Sequence, residues 1–244
     1  MHIDSNTVLI TGGGSGIGLG LAEAFLRAGS KVIVCGRDEG KLRAARAKNP
    51  GLATYACDVG KAADREEPVR WATREHPQLN VVINNAGIQR RVQLAQAEPW
   101  ADCEAEIAVN FHAPVHLCRL FIPHLLTRER PVLMNVTSGL AFVPVAFVPV
   151  YAATKAAMHS FTVSLRQQLA STPIQVIEIV PPAVNTDLGG VGLHASGVPR
   201  DEYCDAVIQS LKSGALEFGY GFSERARLAS HAEIDEILKH GNRR

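Results

Sequence analysis

Short apolar runs alternate with longer amphipathic stretches along the first 180 residues of this chain. The runs at 7–11, 31–35, 53–57, 80–84, 131–136 and 174–180 read as strands. Between them, 16–28, 38–48, 62–75, 100–126 and 151–170 carry the spacing of amphipathic helices. Strands this apolar are expected to be buried on both faces. Their alternation with helices predicts an α/β fold, a Rossmann-like, doubly wound, mainly parallel sheet with helices on both faces. After residue 186 the pattern changes. The segment 188–199 carries four glycines and few large apolar residues, which predicts a mobile loop. Helical spacing returns at 200–213 and 223–240. No repeat or linker-like tract interrupts the chain, so one domain over 1–244 is expected, with a substrate loop and helix at 187–213.

Composition narrows the function. There are 25 basic and 24 acidic residues, a net charge of +1, which gives no reason to expect nucleic acid. No apolar run reaches about 18 residues, so no membrane span is predicted. The first residues do not read as a signal peptide. Five cysteines, with no Cys-x-x-Cys pair, read as reduced thiols of a cytoplasmic protein. Cys35 and Cys57, at the ends of apolar runs, read as small buried hydrophobes. No metal site is expected.

The chemistry is concentrated in three places. Thr11-Gly-Gly-Gly-Ser-Gly-Ile-Gly18 follows the first strand. Gly12 permits a tight turn, Gly16 lets backbone approach a pyrophosphate, and Gly18 lets the next helix pack on the strand. Tyr151 and Lys155 lie four residues apart in a helical run, so both project from one face. Ser138 closes the fifth apolar run, thirteen residues before Tyr151. A phosphate cradle with a Ser/Tyr/Lys set suits hydride transfer to or from a carbonyl carbon. The alkoxide formed needs a proton, and a tyrosine at its ordinary pKa of about 10 is a poor base at neutral pH. Lowering that value by about three units takes roughly 4 kcal/mol, to which the Lys155 ammonium would contribute. Ser138 would hydrogen-bond the carbonyl oxygen and hold it near the Tyr151 hydroxyl.

The end of the second strand reads Val34-Cys35-Gly36-Arg37-Asp38. Gly36 leaves room for a ribose 2′-phosphate and Arg37 supplies a planar charged fork, so NADP(H) is favoured. Asp38 keeps NAD(H) open as a ribose ligand, or else caps the following helix. Asp58, after the third strand, is placed for an adenine amino group. Asn84-Asn85-Ala86-Gly87, after the fourth, allows close approach of backbone to a cofactor.

With these motifs and Asn110, residues 5–190 resemble the classical short-chain dehydrogenases/reductases. The C-terminal features, Asn85 to Arg91 and Ser138 to Pro144 look like the DltE-like bacterial branch. The resemblance implies NAD(P) across the carboxyl edge of the sheet, with Tyr151 as acid/base and Ser138 orienting the substrate. Lys155 would hold the nicotinamide ribose and lower the Tyr151 pKa, and Asn110 would hold a water in a proton relay through Lys155. It places Thr11, Gly12, Ser15, Gly16, Ile17, Gly18 and Arg37 around the cofactor. Asp58, Val59, Asn85, Ala86, Gly87, Pro181, Val184 and Thr186 complete that set, Thr186 on the carboxamide. Pro182 stands where glycine is usual, and Ser15 where NADP enzymes often carry a base. The usual C-terminal strand is expected to be absent, replaced by Gly219 to Ser223 and a charged helix.

The substrate would be a small carbonyl compound or alcohol. Its candidate contacts are Gln89, Arg90, Leu140, Ala141, Phe142, Phe147, Val184 and the loop 187–199, including His194. Arg90 and Arg91 either attract an anionic group or lie on the solvated surface. The family implies a homodimer or homotetramer. A second function fits the cofactor motifs: a redox-sensing regulator that binds NAD(P) without turnover. Retention of Asn110, Ser138, Tyr151 and Lys155 together favours the enzyme.

Overall fold

The computed structural model describes residues 1–96 and 99–241, without the side chains of 240 and 241; the expected domain limit at 244 lies outside them. Its centre is a seven-stranded sheet. The strands are β1 (Thr7–Thr11), β2 (Lys31–Gly36), β3 (Ala53–Ala56), β4 (Val81–Asn84), β5 (Val132–Val136), β6 (Gln175–Val180) and β7 (Glu217–Gly219). All pair in parallel, in the order β3-β2-β1-β4-β5-β6-β7. The chain leaves β1 toward β2 and β3, then crosses back to lay β4 on the other side of β1. That reversal opens a crevice at the carboxyl ends of β1 and β4.

The strands form where apolar, β-branched residues cluster. All five residues of β1, and all of β4 and β5, are buried. β3 departs from the expected two-sided burial. It is an edge strand paired only with β2, and its residues are half-buried or exposed.

Helices cover both faces. On one lie α1 (Gly16–Arg27), α2 (Glu39–Lys48) and, further along the chain, Arg200–Ser213, packed through Leu21, Phe25, Leu42, Tyr203 and Val207. On the other lie α3 (Glu66–Glu75), then α4 (Trp100–Ile107), α5 (Ala113–Leu125) and α6 (Pro149–Gln168), with Val69, Leu117, Phe121 and Leu165 in the core. Arg200–Ser213 is α7, followed by α8 (Phe222–Leu228) and α9 (His231–Gly241).

Three elements differ from the sequence reading. The stretch 100–126 is interrupted by a π-helical turn at 108–112, where the Ala113 N–H bonds the Ala108 carbonyl. Pro114 has no N–H to give Asn110's carbonyl, so the regular ladder shifts register there. A seventh strand does form. β7 has only three residues and one large side chain, Phe218, so it carries no apolar signature, yet it extends the sheet beside β6. The stretch 223–240 divides at Ala229, whose backbone is extended. α9 then starts afresh, with Ser230 and Glu233 exchanging backbone hydrogen bonds. Among the described residues no helix is long and apolar enough to cross a membrane.

Candidate active site

A cleft of about 990 Å³ runs along the carboxyl edge of the sheet. At its centre the turns after β1 and β4 are tied together. The Asn85 amide donates to the Thr11 carbonyl at 2.8 Å, and the Thr11 hydroxyl accepts from the backbone N–H groups of Asn85 and Ala86, each at 3.0 Å. Gly12 takes φ +67°, and a Cβ there would fall 2.8 Å from the Ala86 Cα. At Gly18 a Cβ would meet the Gly12 carbonyl oxygen at 2.6 Å, so bare backbone is required for α1 to seat on the turn. Gly12, Ser15, Gly16 and Ile17 line the cleft where α1 begins, and α1's first N–H groups can receive an anion. This cradle of bare backbone beside a helix start fits a dinucleotide pyrophosphate.

At one end the cleft is walled by Gly36, Arg37, Asp38 and Lys41, with Asp58 and Val59 close by. Asp38 caps α2, its carboxylate accepting from the Lys41 N–H at 2.9 Å. Asp58 accepts from the Gly60 N–H at 3.0 Å. The buried Arg65 fixes this corner through the carbonyls of Val59 and Gly60. Cys35 is buried as expected, whereas Cys57 is half-buried and borders the cleft.

At the other end Ser138, Tyr151 and Lys155 meet. Ser138 ends the buried β5 segment in extended backbone, and Tyr151 and Lys155 come from successive turns of α6. The Tyr151 hydroxyl lies beside the Ser138 side chain, and both residues border the cleft. Lys155 donates to the Val136 carbonyl at 2.8 Å, with its Nζ 5.6 Å from the centre of the Tyr151 ring. Tyr151 and Lys155 are both buried but border the cleft. Burial pushes the Tyr151 phenol up to about 12, which the neighbouring Ser138 side chain opposes. Burial pulls the Lys155 ammonium down to about 8, which the Glu106 carboxylate opposes. The amine therefore loses its proton well before the phenol does. Within the protein's own groups, burial prevails over the lowering of the Tyr151 pKa expected from Lys155.

Asn110 stands behind this pair. Its side chain accepts from the Ile88 N–H at 2.9 Å and donates to the Ile88 carbonyl at 2.8 Å, with Thr154 within reach at 3.2 Å. A Cβ on Gly87 would sit 3.5 Å from the Asn110 Oδ1 and 3.7 Å from the Lys155 Nζ, so the three converge.

Most of the predicted residues come together in the one cleft. Asn85, Ala86, Gly87, Pro181, Val184 and Thr186 border it, as do Gln89, Arg90, Leu140 and Phe147. Thr11, Gly18 and Asn110 lie behind its wall. Phe142 does not line it. The short helical turn Gly139–Ala141 swings its ring onto His159, 4.5 Å between centres. The segment after β6 folds over the opening. Val184 bridges Val198, and the His194 Nε2 meets the Gln89 Oε1 at 3.2 Å. Arg91 lies over the Phe147 ring at 5.1 Å, while Arg90 pairs with Asp102.

Lys41 and Phe222 are among the cleft residues that escaped the sequence reading. Lys41, in the first turn of α2, joins Arg37 of the preceding turn at the end of β2, a spacing visible in the sequence. Phe222 comes from a segment whose path no local pattern reveals, whereas Leu193 belongs to the loop 187–199 expected there.

A family model described as short chain dehydrogenase matches residues 6–192. A Bacillus subtilis protein named as an uncharacterized oxidoreductase, DltE, is 44% identical over 249 residues, covering 99% of this chain and 98% of its own. Among solved structures, a 3-ketoacyl-(acyl-carrier-protein) reductase from Brucella melitensis complexed with NADH superposes with a TM-score of 0.82. It is 26% identical and covers 91% of this chain and 99% of its own. A short-chain dehydrogenase from Sphingobium yanoikuyae in complex with NADPH gives 0.79 at 26% identity, covering 95% and 92%.

Proposed function

Since the chain belongs to the short-chain dehydrogenase family of oxidoreductases, we propose that it transfers a hydride between a nicotinamide cofactor and a carbonyl or secondary alcohol carbon. The observation that carries this reading is the meeting of Ser138, Tyr151 and Lys155, the last two on successive turns of α6, at one end of a cleft whose middle is bare backbone.

A bound nicotinamide supplies or accepts the hydride and, when oxidised, brings a positive charge into the cleft. Every other part falls to the chain. The turn after β1 and the start of α1 take the pyrophosphate, and Asn85 holds that turn against β4. Arg37 and Lys41 take a 2′-phosphate, which favours NADP(H) over NAD(H). Asp38, one of whose oxygens caps α2, is assigned no ribose contact in this reading. Lys155 holds the nicotinamide ribose. Ser138 orients the substrate oxygen toward the Tyr151 hydroxyl, which gives its proton to the forming alcohol or takes it from the alcohol being oxidised. Asn110 holds the water of a proton relay, its carbonyl being the group that Pro114 cannot engage. Gln89, Leu140 and Phe147 face the substrate. Self-association as a homodimer or homotetramer belongs to the same reading; a monomer by light scattering at micromolar concentration would contradict that part.

The test is a panel of ketones and secondary alcohols, with nicotinamide oxidation or reduction as readout. Turnover of at least one class supports the reading. Tight cofactor binding with no turnover across the panel contradicts it and identifies a redox-sensing binder instead.

A further inference from the structure

Glu106 is fully buried in α4, one turn before Asn110. Its Oε1 accepts from the Arg90 N–H at 3.1 Å, and its Oε2 has no hydrogen-bond partner among the described residues. A buried carboxylate oxygen left without a donor is costly, and burial accordingly pushes this carboxyl up to about 7. Among the described residues, few charged and titratable groups surround it. Arg90, itself paired with Asp102, approaches from the segment after β4, and Tyr151 and Lys155 lie on α6, which packs against α4 and meets Asn110, one turn past Glu106, through Thr154 at 3.2 Å. The carboxylate acts on both α6 residues, favouring the ammonium of Lys155 and opposing a phenolate at Tyr151.

We propose that Glu106 is a positioning residue for the Tyr151–Lys155 pair, its buried carboxylate keeping Lys155 charged and so setting the alkaline limit of cofactor binding and turnover. A carboxyl whose only task was to hold the Arg90 backbone would be replaced without loss by any acceptor of the same shape. One that acts through its charge would not. The inference rests on the cofactor and acid/base roles assigned above.

The experiment titrates NADPH affinity by fluorescence from pH 6 to 10 for the wild type and Glu106→Gln. Gln keeps an acceptor for Arg90 and removes the charge. Glu106→Met serves if the Gln variant does not fold, and kcat/KM profiles are taken alongside wherever a substrate is turned over. The expected result is that the pH at which affinity is lost moves about one unit toward acid, the size of effect that removal of a close opposite charge produces. An unchanged midpoint in a folded variant overturns the proposal. A shifted midpoint without turnover of any substrate upholds Glu106 and removes the oxidoreductase reading. Absence of NADPH binding by the wild type removes both.

Discussion

The Asp38 carboxylate accepts a hydrogen bond from the backbone N–H of Lys41 at 2.9 Å. That bond ties one Asp38 oxygen to the start of α2, and Arg37 and Lys41 border the cleft on either side of Asp38. NADPH is therefore expected to bind more tightly than NADH. Arg37→Ala removes a charge-assisted contact of about 1.5–3 kcal/mol, so NADPH affinity should fall about 10- to 100-fold while NADH affinity hardly changes. Parallel fluorescence titrations decide it. Tighter NADH binding, or an Arg37 variant indifferent to the 2′-phosphate, would assign the ribose to Asp38 or to the Gly36 backbone.

Gly18 carries the second prediction. A Cβ there would sit 2.4 Å from the Asn85 Nδ2 and 2.6 Å from the Gly12 carbonyl oxygen. Gly18→Ala must push α1 off the turn or break the Asn85 clamp. Overpacking of this kind costs about 1–3 kcal/mol, measurable as a lower urea midpoint, and dinucleotide binding should weaken with it. A variant with wild-type stability and wild-type binding would show that the turn has slack the packing does not suggest.

Glu106 makes stability depend on pH with a definite sign. Its folded value, about 7, lies above the ordinary 4.5, so the folded state binds the proton more tightly than the unfolded chain. The stabilisation from this group is complete below pH 4.5 and is lost as pH rises through 7. A shift of this size corresponds to about 3 kcal/mol. Glu106→Gln should remove that loss. Denaturant unfolding at pH 5 and pH 8.5 should show a smaller drop between the two in the variant. Equal drops would place the carboxyl in a better-solvated site than its burial implies.

How much of this was legible from residues alone varies with the kind of signal. Six strands announce themselves as β-branched apolar runs, and α7 falls at 200–213 as read. The Tyr151–Lys155 spacing and the glycine turn are local motifs, and the fold brings them to one edge because the parallel order of β1, β4 and β5 leaves no other place for their carboxyl ends. What could not be read is what depends on distant partners. β7 is held by β6 rather than by its own three residues. Phe142 looks like a pocket residue until the turn at 139–141 aims it at His159. Glu106 reads as one more acid on an amphipathic helix, and only the packing of α4 against α6 buries it. The break at 108–112 was legible in principle, since Pro114 marks the missing N–H.

The central claim is that the Tyr151 hydroxyl moves the proton. The direct measurement is kcat for Tyr151→Phe against wild type on a substrate the wild type turns over, with NADPH affinity measured on the same preparations. Removing a general acid–base group should lower kcat about 10²–10⁴-fold and leave the cofactor affinity close to wild type. Turnover retained within a few-fold in a variant that still binds NADPH would contradict the account and move the proton to another group in the cleft.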